Sequence, residues 1–304
     1  MLGDYTISPG QVLSALVGRT GGITGSIVTE WRLPRVVAAV VFGAALALSG
    51  SLFQTITRNP LGSPDIIGFS AGSYTGALVV MILLGGGATA TAFGAVVGGL
   101  VTAALVYALA YKQGLQGFRL IVVGIAAAAM LTSVNTYLRL HANPQLAMSA
   151  TAWGFGSLDL VSWSTALPAL CILGVLFVLV GFLRAPLRQM QLGDDLARAS
   201  GVSVELVRIV TLVLGVGLIA VTTAVGGPIA FIALAAPQIA RRMLRTSDLP
   251  FVTVALVGAI ALLVADVISQ HIVPGGSLPV GTVTVCVGGV YLIALLVHES
   301  RRRG

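Results

Sequence analysis

Residues 31–72, WRLPRVVAAVVFGAALALSGSLFQTITRNPLGSPDIIGFSAG, decide the fold. An apolar run at 36–53 and a second beginning at 66 are joined by a short polar stretch, RNPLGSPD at 58–65. Two prolines, a glycine and an Asn-Pro step cannot continue a helix, so the chain turns there. A run of about 20 apolar residues crosses a bilayer as a helix. The pattern recurs along the chain, and spans are expected near 36–53, 66–84, 88–111, 119–140, 164–183, 209–225, 229–240, 251–270 and 280–297. The runs are continuous rather than alternating, which argues against a membrane β-barrel.

Composition gives the same class. Hydrophobic residues make up 57% of the 304 and charged residues 9%, a balance no soluble domain of this length needs. The 38 glycines suit helices that pack closely, as in Gly72-x-x-x-Gly76 and Gly94-x-x-x-Gly98. Such pairs also arise by chance in a glycine-rich chain. The net charge of +7 raises nucleic acid as a partner, but its placement reads as topology instead. Arg58, Lys112, Arg119, Arg184, Arg188, Arg198, Arg208, Arg241, Arg242, Arg245 and Arg301 to Arg303 fall on one set of alternating loops. Only Arg19, Arg32, Arg35 and Arg139 fall on the other. The positive-inside rule puts the first set, and the tail at 298–304, in the cytoplasm. Trp31, Trp153 and Trp163 then lie towards the outer interface. Residues 1–30 hold neither a signal peptide nor a span. Ser8-Pro9-Gly10-Gln11 reads there as a capped helix start, so a short outer helix is expected.

Several chemistries find no carrier. The single lysine, Lys112, sits in a Tyr-Lys-Gln context, and no G-x-x-x-x-G-K-[ST] occurs, so the chain does not hydrolyse ATP alone. His141, His271 and His298 stand singly, without metal-ligand spacing, and no cofactor motif is present. Cys171 and Cys286 lie in spans and read as small buried apolar residues. The chain is not read as an enzyme.

Three polar features remain. The stretch 184–208, RAPLRQMQLGDDLARASGVSVELVR, reads as two short helices in a cytoplasmic loop. Asp194 would cap the first, with Asp195 in its first turn and Gly201 ending it. Ser203 would cap the second, with Glu205 near its start. From composition alone it is an ordinary solvated loop. Arg32 and Arg35 flank Pro34 just outside the first visible span, where arginines anchor to headgroups or meet a partner. Asp266, in LLVADVISQ, is the carboxylate well inside a span; it serves proton coupling, or a helix–helix hydrogen bond with Gln270 one turn on.

The order of RLPR, ALALSG, RNPL and PDxxGFSxG resembles the FecCD family, the membrane permeases of ABC importers for iron–siderophores, haem and cobalamin. The resemblance runs from residue 3 to the end. It implies an all-α polytopic bundle of the cobalamin-permease (type II importer) kind, one permease domain over 1–304 with an outer segment at 1–35. The family has ten spans against nine visible here, so its first span is expected to precede Met1. LGDDLARASGV resembles the family's coupling loop, which makes Gly193, Asp194, Asp195, Arg198 and Gly201 candidates for the joint with an ATPase. RLPR resembles the site where outer arginines pair with glutamates of a substrate-binding protein, which gives Arg32 and Arg35 a docking role. Gln270 stands where some relatives carry a third such arginine.

By the same resemblance, 119–140 and a short helix at about 144–156 line the pathway between two permeases. Asn143-Pro144 would start that helix and Gly154 and Gly156 end it. The gate would lie at Gln113 to Gly117, with Gln113 and Gln116 exposed to it, and Asn135, Thr136 and Gln145 would form a neutral wall. The plain alternative is a loop and ordinary packing. LLxADxxxQ resembles a family feature not assigned to proton coupling, which favours the structural reading of Asp266. The family usually has histidine where Gln238 follows Pro237.

NPLGSPDIIGF, FRLIVVGI, GVSVELVR and GGVYLIALLVHESRRR resemble the ferric-enterobactin branch most. The expected function is therefore passage of a catecholate iron–siderophore across the bacterial inner membrane. The expected partners are an ATPase dimer, a second, unlike permease and a periplasmic or lipid-anchored binding protein; a homodimer is the lesser alternative. No nucleic acid and no cofactor are expected. Another siderophore, haem or cobalamin stays open. A gradient-driven carrier would explain the spans and Asp266 but not the two-helix loop.

Overall fold

The computed structural model describes residues 6–18, 22–65, 67–111, 117–245, 250–273 and 276–303. In order the helices are α1 (Pro9–Leu16), α2 (Gly22–Ser26), α3 (Leu33–Thr57), α4 (Phe69–Leu78), α5 (Ala88–Ala110), α6 (Gly117–Leu140), α7 (Pro144–Gly154) and α8 (Trp163–Phe182). Then follow α9 (Arg184–Gln191), α10 (Asp194–Ala199), α11 (Val204–Gly226), α12 (Ile232–Leu244), α13 (Phe251–His271) and α14 (Val280–Arg303). No strand occurs among the described residues. The expected outer helix is α1, with Pro9 at its first position. Ser8 Oγ accepts from Gln11 N at 3.4 Å while Ser8 N donates to Gln11 Oε1 at 3.0 Å.

Six helices among the described residues are long and apolar enough to cross a membrane. The nine-span count is not reached on that measure. Two expected spans appear as the shorter apolar helices Phe69–Leu83 and Val280–Tyr291. The one expected at 229–240 is the 13-residue α12. Gly227 (φ 69) and Phe231 (φ 72) lie in left-handed conformations between α11 and α12, so neither helix runs into the other. The first span is also longer than expected. A π-helical stretch, Ile27–Arg32, joins α2 to α3 in one 36-residue helix, Gly22–Thr57. Arg32 and Arg35, expected just outside the span, lie within that continuous helix.

Helix α3 forms the centre, packed on α8, α11, α12 and α13. Burial from Phe42 to Gln54 is nearly all-round, as a helix apolar on every face requires. The glycines set how closely helices approach. A methyl on Gly76 would stand 2.0 Å from the Gly94 carbonyl oxygen, and one on Gly98 would stand 2.4 Å from that of Gly72. The two small-residue pairs therefore face each other across the α4–α5 contact. Gly50 is tighter still: a methyl there would stand 1.7 Å from the Ala233 carbonyl oxygen of α12. Gly50→Ala is expected to cost about 3 kcal/mol of stability through forced separation of α3 and α12. Gly289→Ala, where a methyl meets nothing within 4 Å, should be neutral or slightly stabilising. Thermal unfolding of the two variants in detergent checks this, and equal midpoints would refute the close-contact argument.

The polar turn after α3 is held by α12. Arg58 (φ 49) ends α3 in a left-handed conformation, and Asn59 Oδ1 accepts from Leu61 N at 2.9 Å. Gln238 Nε2 donates to Pro60 O at 2.8 Å, and Gln54 Nε2 donates to Leu234 O at 3.0 Å. Glutamine after Pro237 thus has a defined task, tying a helix to the turn. Cys171 and Cys286 correct an expectation: both are exposed, because α8 and α14 turn those faces outward.

Candidate functional site

The polar groups gather in three places. At the basic end, Asp194 is the first residue of α10, behind Gly193 at φ 115. Its Oδ1 accepts from Arg58 Nη2 at 2.7 Å and its Oδ2 from Arg208 Nη2 at 2.6 Å. One carboxylate thus joins the end of α3, the start of α10 and the second turn of α11. The expected caps are not made: Gly193 occupies the cap of α10 and Ser203, at the cap of α11, makes no side-chain capping bond. The two short helices of 184–208 are α9 and α10, and Ser203 and Glu205 belong to the start of the long α11. Gly201 (φ 85) does follow the end of α10. Asp195 is fully exposed and pairs with Arg198 at 3.2 Å. In the turn nearby, burial pushes the Asp65 carboxyl up to about 6, against a bond donated by Ser70 that lowers it.

At the opposite end lies a buried ionic cluster. Arg35 Nε and Nη2 donate to Asp266 at 2.8–3.1 Å in a forked arrangement. Gln270 Nε2 donates to Asp266 Oδ2 at 2.7 Å. The side chain of Asp266 is 2% exposed and that of Arg35 17%. Arg35 Nη1 also meets Asp159 Oδ1 at 2.6 Å, and Ser157 and Ser277 donate to Asp159 Oδ2 at 2.8 and 3.3 Å. Asp266 does bond from helix to helix, but through Arg35 of α3; the expected partner Gln270 lies one turn on in α13 itself and adds a bond within that helix. Asp159 was not foreseen; its signal was its place among only ten acidic residues, in a short link between helices.

Between α4, α6, α7 and the start of α14 is a cavity of about 260 Å³, open on one side. Tyr74, Asn135, Arg139, Phe155 and Pro228 line it. Tyr74 donates to Ala150 O at 3.0 Å and stacks on Trp153, with centroids 6.2 Å apart and planes 11° off parallel. Arg139 Cζ lies 5.9 Å from the Tyr74 ring centroid. Asn135 Nδ2 donates to Ala71 O at 3.2 Å, while its Oδ1 and Arg139 Nε are buried without a hydrogen-bond partner among the described residues. The wall is fixed by backbone bonds: Gly281 N to Gly156 O at 3.2 Å, and Ser157 N to Gly226 O at 2.8 Å.

Of the pathway residues named from sequence, Asn135 is buried in this cavity and Gln145 is exposed on α7. That helix has Asn143 at its cap and Pro144 at its first position. Gln113 and Gln116 lie outside the described residues. Arg32, at the end of the π-helical stretch, is half-buried, one helical turn before Arg35. No group of three or more metal-ligating side chains occurs among the described residues.

The model of the FecCD transport family matches residues 1–298. The ferric enterobactin transport system permease protein FepG of Escherichia coli is 46% identical over 301 residues, covering 99% of this chain and 91% of that protein. The Fe(3+)-citrate import system permease protein YfmE of Bacillus subtilis is 34% identical, covering 99% and 91%. A solved structure described as an inward-facing conformation of a metal-chelate type ABC transporter superposes with TM-score 0.83 at 24% identity, over 95% of this chain and 96% of that one. At that identity the likeness speaks for the fold alone.

Proposed function

This chain belongs to the FecCD transport family, and from that membership we propose that it is the permease subunit of an ABC importer passing a catecholate iron–siderophore into the cytoplasm. The observation that carries the cargo is the 46% identity to a ferric enterobactin permease along nearly the whole chain, against 34% to the ferric citrate one. ATP is hydrolysed by a separate ATPase dimer. A binding protein delivers the chelate, and an unlike permease completes the pathway.

The roles follow the charge. The Arg58–Asp194–Arg208 joint faces the cytoplasm by the positive-inside rule, as does the C-terminal tail. Asp195 and Arg198, exposed beside it, meet the ATPase, while Gly193 and Gly201 shape the turn. The Arg35–Asp266 end faces outward. There Arg32 meets the binding protein; Arg35 and Gln270, engaged with Asp266, set the docking surface rather than pair with a partner directly. Helix α6, exposed along most of its length, faces the second permease, with the segment holding Gln113 and Gln116 at the inner gate and Gln145 and Asn135 further out.

A tagged pull-down from the native membrane tests the assembly, with each co-purifying chain identified by mass. An ATPase together with a different permease is the expected result. An ATPase alone would mean a homodimer, and none at all would leave a gradient-driven carrier.

A further inference from the structure

Among the described residues, Arg139 stands apart from the other cations at its end of the bundle. Arg35 is consumed by Asp159 and Asp266, whereas Arg139 has no carboxylate and spends its face on the Tyr74 ring. Its buried Nε–H is unpaired, and so is Oδ1 of Asn135, a residue 3% exposed in the same cavity. Buried polar groups without partners carry a desolvation cost that a ligand relieves. The cavity therefore asks for a negative oxygen beside Arg139, an N–H or O–H donor beside Asn135, and a flat ring near Tyr74, which lines the cavity and is stacked in turn on Trp153.

Charge arithmetic selects among iron chelates. Three doubly negative catecholates around Fe3+ leave a trianion, whereas three singly negative hydroxamates leave a neutral complex. Only the first rewards a cation, and only the first presents aromatic faces. We propose that this cavity is a contact site for one arm of an anionic tris-catecholate iron chelate, held by Arg139 and Asn135 beside Tyr74. This deepens the cargo reading above and rests on it. At about 260 Å³ the cavity falls below the roughly 300–1,000 Å³ of whole-ligand sites, as suits one arm of a larger cargo in passage.

The test is binding to the full chain in lipid nanodiscs, read by quenching of tryptophan fluorescence. The probes are the iron(III) tris-complex of 2,3-dihydroxybenzamide, which carries both charge and an amide donor, and iron(III) tris-acetohydroxamate, neutral and non-aromatic. The trianion should bind about tenfold more tightly, and Arg139→Gln should remove about tenfold of its affinity. Arg139→Lys, keeping charge without the planar fork, should lose only about threefold. Trp153→Phe should abolish the quenching. Equal binding of the two probes, or a trianion affinity unmoved by Arg139→Gln, overturns the proposal. Cellular uptake of the catecholate complex separates the two readings. Uptake untouched by Arg139→Gln removes the site and leaves the cargo assignment. Binding as expected without any uptake keeps the site and removes the cargo assignment.

Discussion

Arg35→Gln is expected to cost roughly 3–5 kcal/mol of stability, the effect of removing one partner from a buried pair. The fork from Arg35 reaches both oxygens of Asp266 at 2.8–3.1 Å, and that carboxylate is almost wholly out of solvent. Without the guanidinium, Gln270 alone would remain to it from the surrounding contacts. Asp266→Asn should cost less, because Arg35 keeps Asp159, which is 33% exposed and closer to water. The double variant Arg35→Gln, Asp266→Asn should recover much of the loss, since no net charge is then stranded. Thermal midpoints of the three variants in one detergent measure the cycle. Independent, additive losses would mean that the pair is not a coupled unit.

The elements that sequence makes legible are those governed by local rules. Continuous apolar runs mark the long helices, Ser8-Pro9 and Asn143-Pro144 mark two helix starts, and the paired small residues at 72, 76, 94 and 98 meet as spacing suggests. What stayed hidden depends on contacts distant in the chain or on small backbone changes. The π-helical stretch Ile27–Arg32 shifts hydrogen bonding by one residue without altering the apolar pattern, so the first helix reads as shorter than it is. The Arg35–Asp266 pair joins residues 231 apart, and no periodicity announces it. Asp194 was legible as the start of a short helix but not in its bonding. Its side chain finds two arginines from other helices, and charge-assisted bonds to these outweigh a local cap. Arg139 and Tyr74 lie on different helices, and their meeting is a product of packing alone. The available clue was a cation at the sparsely charged end of the chain.

Charge reversal of the exposed pair, Asp195→Arg with Arg198→Glu, is expected to cut ATP-driven uptake about tenfold while leaving the fold intact. Asp195 is fully exposed and Arg198 is 59% exposed, so their mutual contact is worth little to stability and the swap preserves it in reverse. A partner that meets this face, by contrast, finds each charge inverted, and like charges across an interface oppose docking. Asp194 is the wrong residue for this test, because it holds Arg58 and Arg208 together and its replacement would loosen the joint itself. The informative comparison is therefore between unfolding and transport in one variant. An unchanged thermal midpoint, weaker ATPase co-purification and a large loss of uptake would place the coupling surface at α10. Full uptake with the ATPase still bound would move that surface elsewhere on the basic end. The Leu192 and Leu196 side chains, 71% and 60% exposed beside the same pair, would then be the next to change, since large apolar groups left in water at that end also call for a covering partner.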